Sequence, residues 1–453
     1  MNPEIFREYD IRGVAEKDLN ALDVVKIGQA FGTFVRRKGY KTVTVGKDCR
    51  LTGDKYAVAT IKGLLSTGCD VFDIGMVPTP VSYFSTIQLN ADASLMVSAS
   101  HNPKEYNGFK MMCGGDAVYG EDIQKLHQMI LDDDFFQEPK GQLRVEDVLI
   151  PYINYIINHN IVLSGKRFRV GVDCANGVAG LTAIPILKAL GCEVHELYVT
   201  PDGNFPNHEA DPTINANMKE LISLVREKKL DVGFGFDGDG DRIGVVDEKG
   251  TLLFGDQLLI IFSREILSRI PGALFVSEIK CSQATYDDIK KHGGRGIMWK
   301  AGHSLIKQKL KKEKAALAAE VSGHIFFADR YFGFDDAVYA ACRLLEILSA
   351  TGKSVSALLE GVPKRVITPE IRMECPDDVK FKIVEKAVAY FKKEFPVIDI
   401  DGIRFQLSDG WGLVRASNTQ PALVLRFEAP TQKRVEEIKT WVLDVLAQIR
   451  KEV

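Results

Sequence analysis

The sequence has no apolar run near the roughly 20 residues that a membrane span requires. Its start, "MNPEIFREYDIRGV", lacks the basic-then-apolar pattern of a secretion signal. These two absences predict a cytoplasmic protein with no membrane partner. A basic excess is missing too: 58 Lys and Arg stand against 61 Asp and Glu, for a net charge of −3. Nucleic-acid binding usually needs a basic face, so no nucleic-acid partner is expected. A small anionic substrate stays open, because a few local cations can bind one whatever the total charge. Cysteine is sparse and unpatterned. The eight cysteines, at positions 49, 69, 113, 174, 192, 281, 342 and 375, form no CxxC pair and none sits at metal-ligand spacing from a histidine. They read as reduced, mostly buried thiols.

What is present is ordinary globular composition, 45% apolar and 26% charged over 453 residues. At roughly 100–200 residues per domain the chain should hold three or four. "TVTVG" (42–46) reads as a buried strand, "YAVATIKGLLSTG" as a helix stopped by Gly68, "CDVFDIG" as a strand, "PVSYFSTIQL" as a helix and "ASLMVS" as a strand. Such alternation predicts an α/β unit with a largely parallel sheet. A polar, acidic stretch, "DDDFFQEPKGQ" (132–142), reads as a linker or surface loop. The alternation restarts at "FRVGVDCANG" and again at "FGDQLLIIFSREIL", suggesting three related units, although residue identity between them is too low to prove a repeat. Near residue 367 it gives way to a helix, several short strands and a closing helix, the pattern of a small α+β domain with an antiparallel sheet. The expected units are 1–150, 151–252, 253–366 and 367–453.

Four polar loops interrupt these patterns. In "MVSASHNPKEYNGFKMM" a buried strand ends at Ser100, followed by His101, Asn102, a proline turn and, downstream, Lys110. Phosphoryl transfer through a covalent intermediate needs a side-chain oxygen on a rigid loop near groups that neutralise phosphate; a serine that merely caps a turn would look the same. In "FDGDGDRIG" Asp237, Asp239 and Asp241 alternate with glycines. Three carboxylates so placed can converge on one cation, and hard oxygen ligands favour Mg²⁺. A calcium loop is rejected, because its sixth position would be Arg242 instead of glycine and its flanks read as strands. In "AEVSGH" Glu320, Ser322 and His324 recur at period two, which suits recognition of vicinal hydroxyls or an exposed β-edge. In "RASNTQP" Arg415, Ser417, Asn418 and Thr419 make either a phosphate cradle or a simple hydroxyl-capped turn. Tyr9, Arg12, Lys280, Lys300 and His303 lie in weaker strings.

The order of these loops, and the strings themselves from "FREYDIRG" through "DGNFPNHEADP" to "RASNTQP", resemble the α-D-phosphohexomutase family over essentially the whole chain. Within it the chain is most similar to the bacterial phosphomannomutase/phosphoglucomutase branch, whose members accept both sugars. The resemblance implies three α/β domains with mixed sheets and a small C-terminal α+β domain around a central cleft, each giving one loop. It implies that Ser100 is carried as phosphoserine, with Mg²⁺ on Asp237, Asp239, Asp241 and an oxygen at Ser100, and that a hexose 1,6-bisphosphate is the intermediate and activator. Arg242 would hold the phosphoserine or the sugar. Lys110 and His303 are the candidates for moving the hydroxyl proton, Lys110 being favoured because it belongs to the serine loop and its pKa would fall beside the metal and other cations. Arg415, Ser417, Asn418 and Thr419 would hold the non-reacting phosphate, and Glu320, Ser322 and His324 the sugar. Tyr9, Arg12 and Lys280 would line the cleft. Ala319 stands where the family commonly has glycine. Val321 stands where phosphoglucosamine mutases tend to have glutamine. Val321 counts against a phosphoglucosamine mutase, but Ala319 leaves the sugar open, so that mutase is kept as the first alternative, an aspartate-dependent sugar phosphatase as a weaker one and a non-catalytic sugar-phosphate sensor as weaker still. The partners expected are small phosphosugars, with the chain a monomer or weak homo-oligomer.

Overall fold

Strands dominated by buried valine, isoleucine and phenylalanine make four sheets in the computed structural model of the chain, which describes residues 1–159, 161–163, 165, 167–417 and 421–452. The chain is an α/β protein whose first three units share one plan. In the first, β1 (Thr42–Lys47), β2 (Asp70–Met76), β3 (Ala93–Val97) and β4 (Tyr106–Cys113) lie in the spatial order β2-β1-β3-β4. β1 pairs in parallel with β2 and β3, and β4 runs antiparallel to β3. The second unit repeats this with β5 (Arg169–Asp173), β6 (Glu193–Leu197), β7 (Val232–Phe236) and β8 (Ile243–Asp247) in the order β6-β5-β7-β8. The third repeats it with β9 (Leu274–Glu278), β10 (Arg295–Trp299), β11 (Leu317–Ala319) and β12 (Ile325–Phe327) in the order β10-β9-β11-β12.

The suspected kinship of the three units is thus topological. The sheets are mixed, as the family resemblance implies, and the antiparallel fourth strand, which the alternation alone did not predict, has a simple reason. The loops 98–105, 237–242 and 320–324 are too short for the crossover that a parallel return requires, so each fourth strand comes back antiparallel. The three tips so formed carry Ser100, the aspartates and Glu320–His324.

Of the strands that were not expected, one reaches the site. Ile11–Val14 joins the edge of the first sheet antiparallel to β4, with Arg12 opposite Gly108. Gly108 permits this, since a Cβ there would lie 2.4 Å from the Ile11 carbonyl oxygen. The last sheet is antiparallel around Ile403–Gln406, Trp411–Ala416 and Ala422–Ala429. Helices Asp377–Phe391 and Gln432–Arg450 pack on it around one apolar core. A single larger core runs from Ile74 in the first unit through the second into the third, fixing those units against one another. All eight cysteines are buried and unpaired, and burial pushes the Cys49 thiol up to about 12. Among the described residues, no helix is long and apolar enough to cross a membrane.

The second and third tips touch back to back. Arg242 and His324 form an antiparallel bridge, and the Ile243 N–H donates to the Gly323 carbonyl at 3.1 Å. Gly323 has φ +94°, and a Cβ on it would come within 2.2 Å of the Ile243 carbonyl oxygen. Gly323→Ala is therefore expected to lower stability by roughly 1–3 kcal/mol, read as a shift of the urea midpoint. An unchanged midpoint would mean that this contact does not hold the two tips together.

Candidate active site

Ser100 sits just beyond the end of β3, buried, in the left-handed backbone region at φ 51°. A non-glycine residue is uncommon there, and such strain clusters at functional sites. The turn aims the hydroxyl at the second unit: Oγ donates to Asp237 Oδ2 at 2.6 Å and lies 3.2 Å from His101 Nδ1. Gly238 allows the approach, because a Cβ there would be 2.5 Å from the Ser100 carbonyl oxygen.

Asp237, Asp239 and Asp241 are fully buried, and one oxygen of each lies within 4.8 Å of the others. Asp237 Oδ1 accepts the N–H groups of Asp241 and Arg242, both at 3.1 Å. Asp239 Oδ2 accepts from Thr79 Oγ1 at 2.6 Å and Ser98 Oγ at 3.0 Å. Lys110 Nζ bridges Asp239 Oδ2 at 2.6 Å and Asp241 Oδ2 at 2.5 Å. Burial, then the Asp239 and Asp241 charges, push Asp237 well above the usual carboxylate range. Burial acts the same way on Asp239, but the Lys110 ammonium outweighs it and holds that carboxyl far below. For Lys110, burial would lower the pKa; Asp239 and Asp241 overcome it and raise it. The protein's own groups thus raise this lysine rather than depress it, because its nearest charges are anions. Lys110 is the one ammonium bonded to these carboxylates, and Asp239 Oδ1 and Asp241 Oδ1, the latter 3.5 Å from His324 Nδ1, are buried without a hydrogen-bond partner. Two hard, unpaired oxygens in an undercompensated pocket fit a divalent cation such as Mg²⁺.

Around this centre the remaining candidates fall into two groups. Arg242 Nε donates to His324 Nε2 at 2.9 Å. The His324 ring stacks on His303 at 5.5 Å, and its Nδ1 faces Asp335 Oδ2 at 2.9 Å. Burial, then the Lys307 ammonium, hold His303 well below the ordinary histidine pKa, so its imidazole is neutral at pH 7. Glu320 is buried and accepts the Gly302 N–H at 2.7 Å. Ser322 is half-buried at the hairpin tip. Arg12 reaches the serine loop, donating to Asn102 Oδ1 at 2.6 Å while pairing with Asp10. Tyr9 OH donates to the Ala301 carbonyl at 2.7 Å.

The second group is held by carboxylates that sequence reasoning missed. Lys280 lies 2.8 Å from Glu370 and 3.2 Å from Glu278, which hold it charged. Arg415 pairs with Asp401 at 3.0 Å, and Asp401 Oδ2 also accepts the Ala301 N–H at 3.0 Å. Ser417 N–H donates to the Ala422 carbonyl, and its own carbonyl accepts from Lys380 at 2.6 Å. Asn418 and Thr419 lie outside the described residues. Thr79 and Ser98 were also missed as parts of the centre, whereas the sequence already marks His101 beside the serine.

A serine hydroxyl 2.6 Å from one of three buried carboxylates that could hold a cation, with arginine, lysine and histidine side chains around them, is an arrangement suited to phosphoryl transfer, as in a phosphohexomutase. Comparison with known proteins agrees. Four models of the phosphoglucomutase/phosphomannomutase family match in chain order: alpha/beta/alpha domains I, II and III over residues 3–137, 151–250 and 254–366, and the C-terminal domain over 370–445. The chain is 45% identical over 436 residues to a phosphomannomutase/phosphoglucomutase of Pseudomonas syringae, covering 96% of this chain and 93% of that one. It is 41% identical over 440 residues to a phosphoglucomutase of Neisseria gonorrhoeae, covering 96% and 95%. Its structure superposes on the crystal structure of a phosphoglucomutase/phosphomannomutase family protein from Burkholderia thailandensis with a TM-score of 0.93 and 42% identity, covering 99% and 98% of the two chains. The chain belongs to the phosphoglucomutase/phosphomannomutase family.

The unpaired carboxylate oxygens generate a test without turnover. Mg²⁺ is expected to raise the melting temperature of the wild-type chain, equivalent to about 2–3 kcal/mol at 100-fold excess over its Kd. Asp239→Asn is expected to lose that Mg²⁺-dependent increment whatever its own starting stability. An increment unchanged in the variant would remove Asp239 from the ligand set.

Proposed function

We propose that this chain is a phosphohexomutase that interconverts hexose 1-phosphates and 6-phosphates of glucose and mannose through phosphorylated Ser100 and a hexose 1,6-bisphosphate. The observation that carries this is the Ser100 hydroxyl, held in a strained turn 2.6 Å from the first of three buried aspartates. The names of the relatives support the same reaction and both sugars. The loops divide the work among units 1–150, 151–252, 253–366 and 367–453: nucleophile, cation, sugar and distal phosphate.

Ser100 Oγ and Asp237, Asp239 and Asp241 would hold Mg²⁺. Bound there, it would offset the charge that grows on the transferring phosphoryl group. The P–O bond to Ser100 breaks as a P–O bond to the sugar hydroxyl forms, and the hydroxyl proton leaves. Lys110, kept protonated by its two aspartates, serves as a fixed cation and proton donor. His303, neutral by burial, is the better proton acceptor. Arg242, locked on His324, and Arg12, locked on Asn102, present positive charge to the phosphoryl oxygens. The bisphosphate then turns over and returns its other phosphoryl group to Ser100. Both poses use one distal phosphate pocket, Arg415 with Ser417, Asn418 and Thr419, and hydroxyl contacts from Glu320, Ser322 and His324. Tyr9 and Lys280 line the cleft. One chain supplies all four loops, so a monomer suffices. Buried, unpaired thiols suit a cytoplasmic site of action.

The test is a coupled isomerisation assay with mass spectrometry of the enzyme. The wild type should convert both glucose 1-phosphate and mannose 1-phosphate and carry phosphate on Ser100, and Ser100→Ala should do neither. Net phosphate release without isomer would favour a phosphatase and overturn the proposal, and preference for glucosamine 1-phosphate would overturn its sugar assignment. Arg415→Ala should raise KM roughly 10- to 100-fold for both sugars alike, whereas a loss confined to one isomer would mean that the pocket is not shared. The acid limb of kcat should fall below pH 6.5, because lowering the His303 pKa keeps the imidazole neutral until the pH drops through the shifted value. His303→Asn should remove that limb.

A further inference from the structure

The string "GKDCRLTG" (46–53) has no part in the reaction as described, yet it encloses one of the most heavily engaged side chains in the first unit. Arg50 is buried and lies behind the serine loop. Its NH2 donates to the carbonyls of Ser100 at 2.9 Å and Asn102 at 2.6 Å, and its NH1 to those of Pro103 at 2.7 Å and Tyr106 at 2.8 Å. One guanidinium thus gathers four carbonyls from both ends of the loop. Asp48 supplies the counter-charge, with Oδ2 3.3 Å from Arg50 Nε and Oδ1 accepting the Arg50 N–H at 2.9 Å.

The second unit closes the arrangement from outside. Phe205, in the string "DGNFPNHEADP", places its ring 5.4 Å from the guanidinium, and Gly203 leaves room for Cys49, whose carbonyl oxygen would be 2.4 Å from a Cβ at that position. Cys49 Sγ reaches the Asn176 carbonyl at 3.4 Å. Two strings without a role in the chemistry therefore form the support on which the nucleophile turn rests.

We infer that Arg50 is the positioning residue of the nucleophile loop: its four carbonyl bonds hold Ser100 in its left-handed turn so that Oγ stays aimed at Asp237 and the transferring phosphoryl group. The inference rests on the mutase reading for its effect on rate, and on geometry alone for its effect on the loop. Lysine cannot replace the planar fork, because a single ammonium offers three donors from one point.

Full-length wild type, Arg50→Lys and the milder Asp48→Asn are compared by steady-state kinetics, phosphate incorporation from glucose 1,6-bisphosphate and amide hydrogen exchange. Arg50→Lys should lower kcat roughly 10²-fold, the scale of a small misplacement of a reacting group, while KM for glucose 1-phosphate stays within about 2-fold because no substrate contact is removed. Phosphate incorporation at Ser100 should slow in parallel. Exchange should accelerate in residues 98–106 and not in 237–242. Asp48→Asn should show the same split with a smaller loss, and it decides the matter if Arg50→Lys does not fold. An unchanged kcat with unchanged exchange overturns the assignment, and so does a uniform change of kcat, KM and exchange across the chain. Faster exchange confined to 98–106, in a protein whose wild type isomerises nothing, would sustain the clamp and defeat the mutase reading instead.

Discussion

Three carboxylates and a serine hydroxyl brought together out of water form the constraint on which the rest of this structure depends. Anions at such distances repel strongly in a low-dielectric interior. The chain meets this with one ammonium, Lys110, bonded to Asp239 and Asp241, with a threonine hydroxyl on Asp239 and with backbone donors on Asp237. The opposite shifts of Asp237 and Asp239 express the same imbalance: the carboxyl bonded directly to Lys110 stays ionised, and its neighbour is pushed toward the neutral form. No single α/β unit could build this. Serine and lysine come from the hairpin of the first sheet, the aspartates from that of the second, and the two must be docked rigidly. The core shared between units supplies that rigidity.

The repeated hairpin explains how one device was used three times. Each third strand is buried, each tip emerges at the same end of its sheet, and each returning strand is antiparallel because the loop is short. Polar residues are tolerated at the tips because another tip satisfies them: Ser100 meets Asp237, and Arg242 meets His324. Beyond extra edge strands and tip length, what differs between units is which side chains the tip carries.

That architecture also determines what could be seen in the sequence. Ser100, Asp237 to Asp241, and Glu320 to His324 were legible because each group is contiguous, lies at a hairpin tip and interrupts a clear apolar pattern. The antiparallel return of each fourth strand was not legible in the alternation, since apolar runs do not encode strand direction; only the family resemblance pointed to mixed sheets. The strand Ile11–Val14 was missed because "IRGV" has no alternation and owes its place to pairing with β4. Arg50, Thr79, Asp335 and Asp401 were invisible for another reason. Each acts on residues distant in the chain, as Asp401 does on Ala301, and none carries a local spacing that reports it.

The same logic accounts for a net charge of −3 in a protein whose site suits dianionic sugars. The cations of the site are not surplus charge: Arg12 is paired with Asp10, Lys280 with Glu278 and Glu370, Arg415 with Asp401, and Lys110 with two aspartates. Each pair keeps a long side chain extended and partly desolvated before any phosphate arrives. A phosphate bound at such a guanidinium or ammonium would exchange one oxyanion for another, with less loss of side-chain entropy than recruiting a free cation would entail. Asp401 shows the arrangement most clearly. It spans the Arg415 side chain of the last domain and the Ala301 N–H of the third, so a phosphate competing for Arg415 would act at the contact between those two domains.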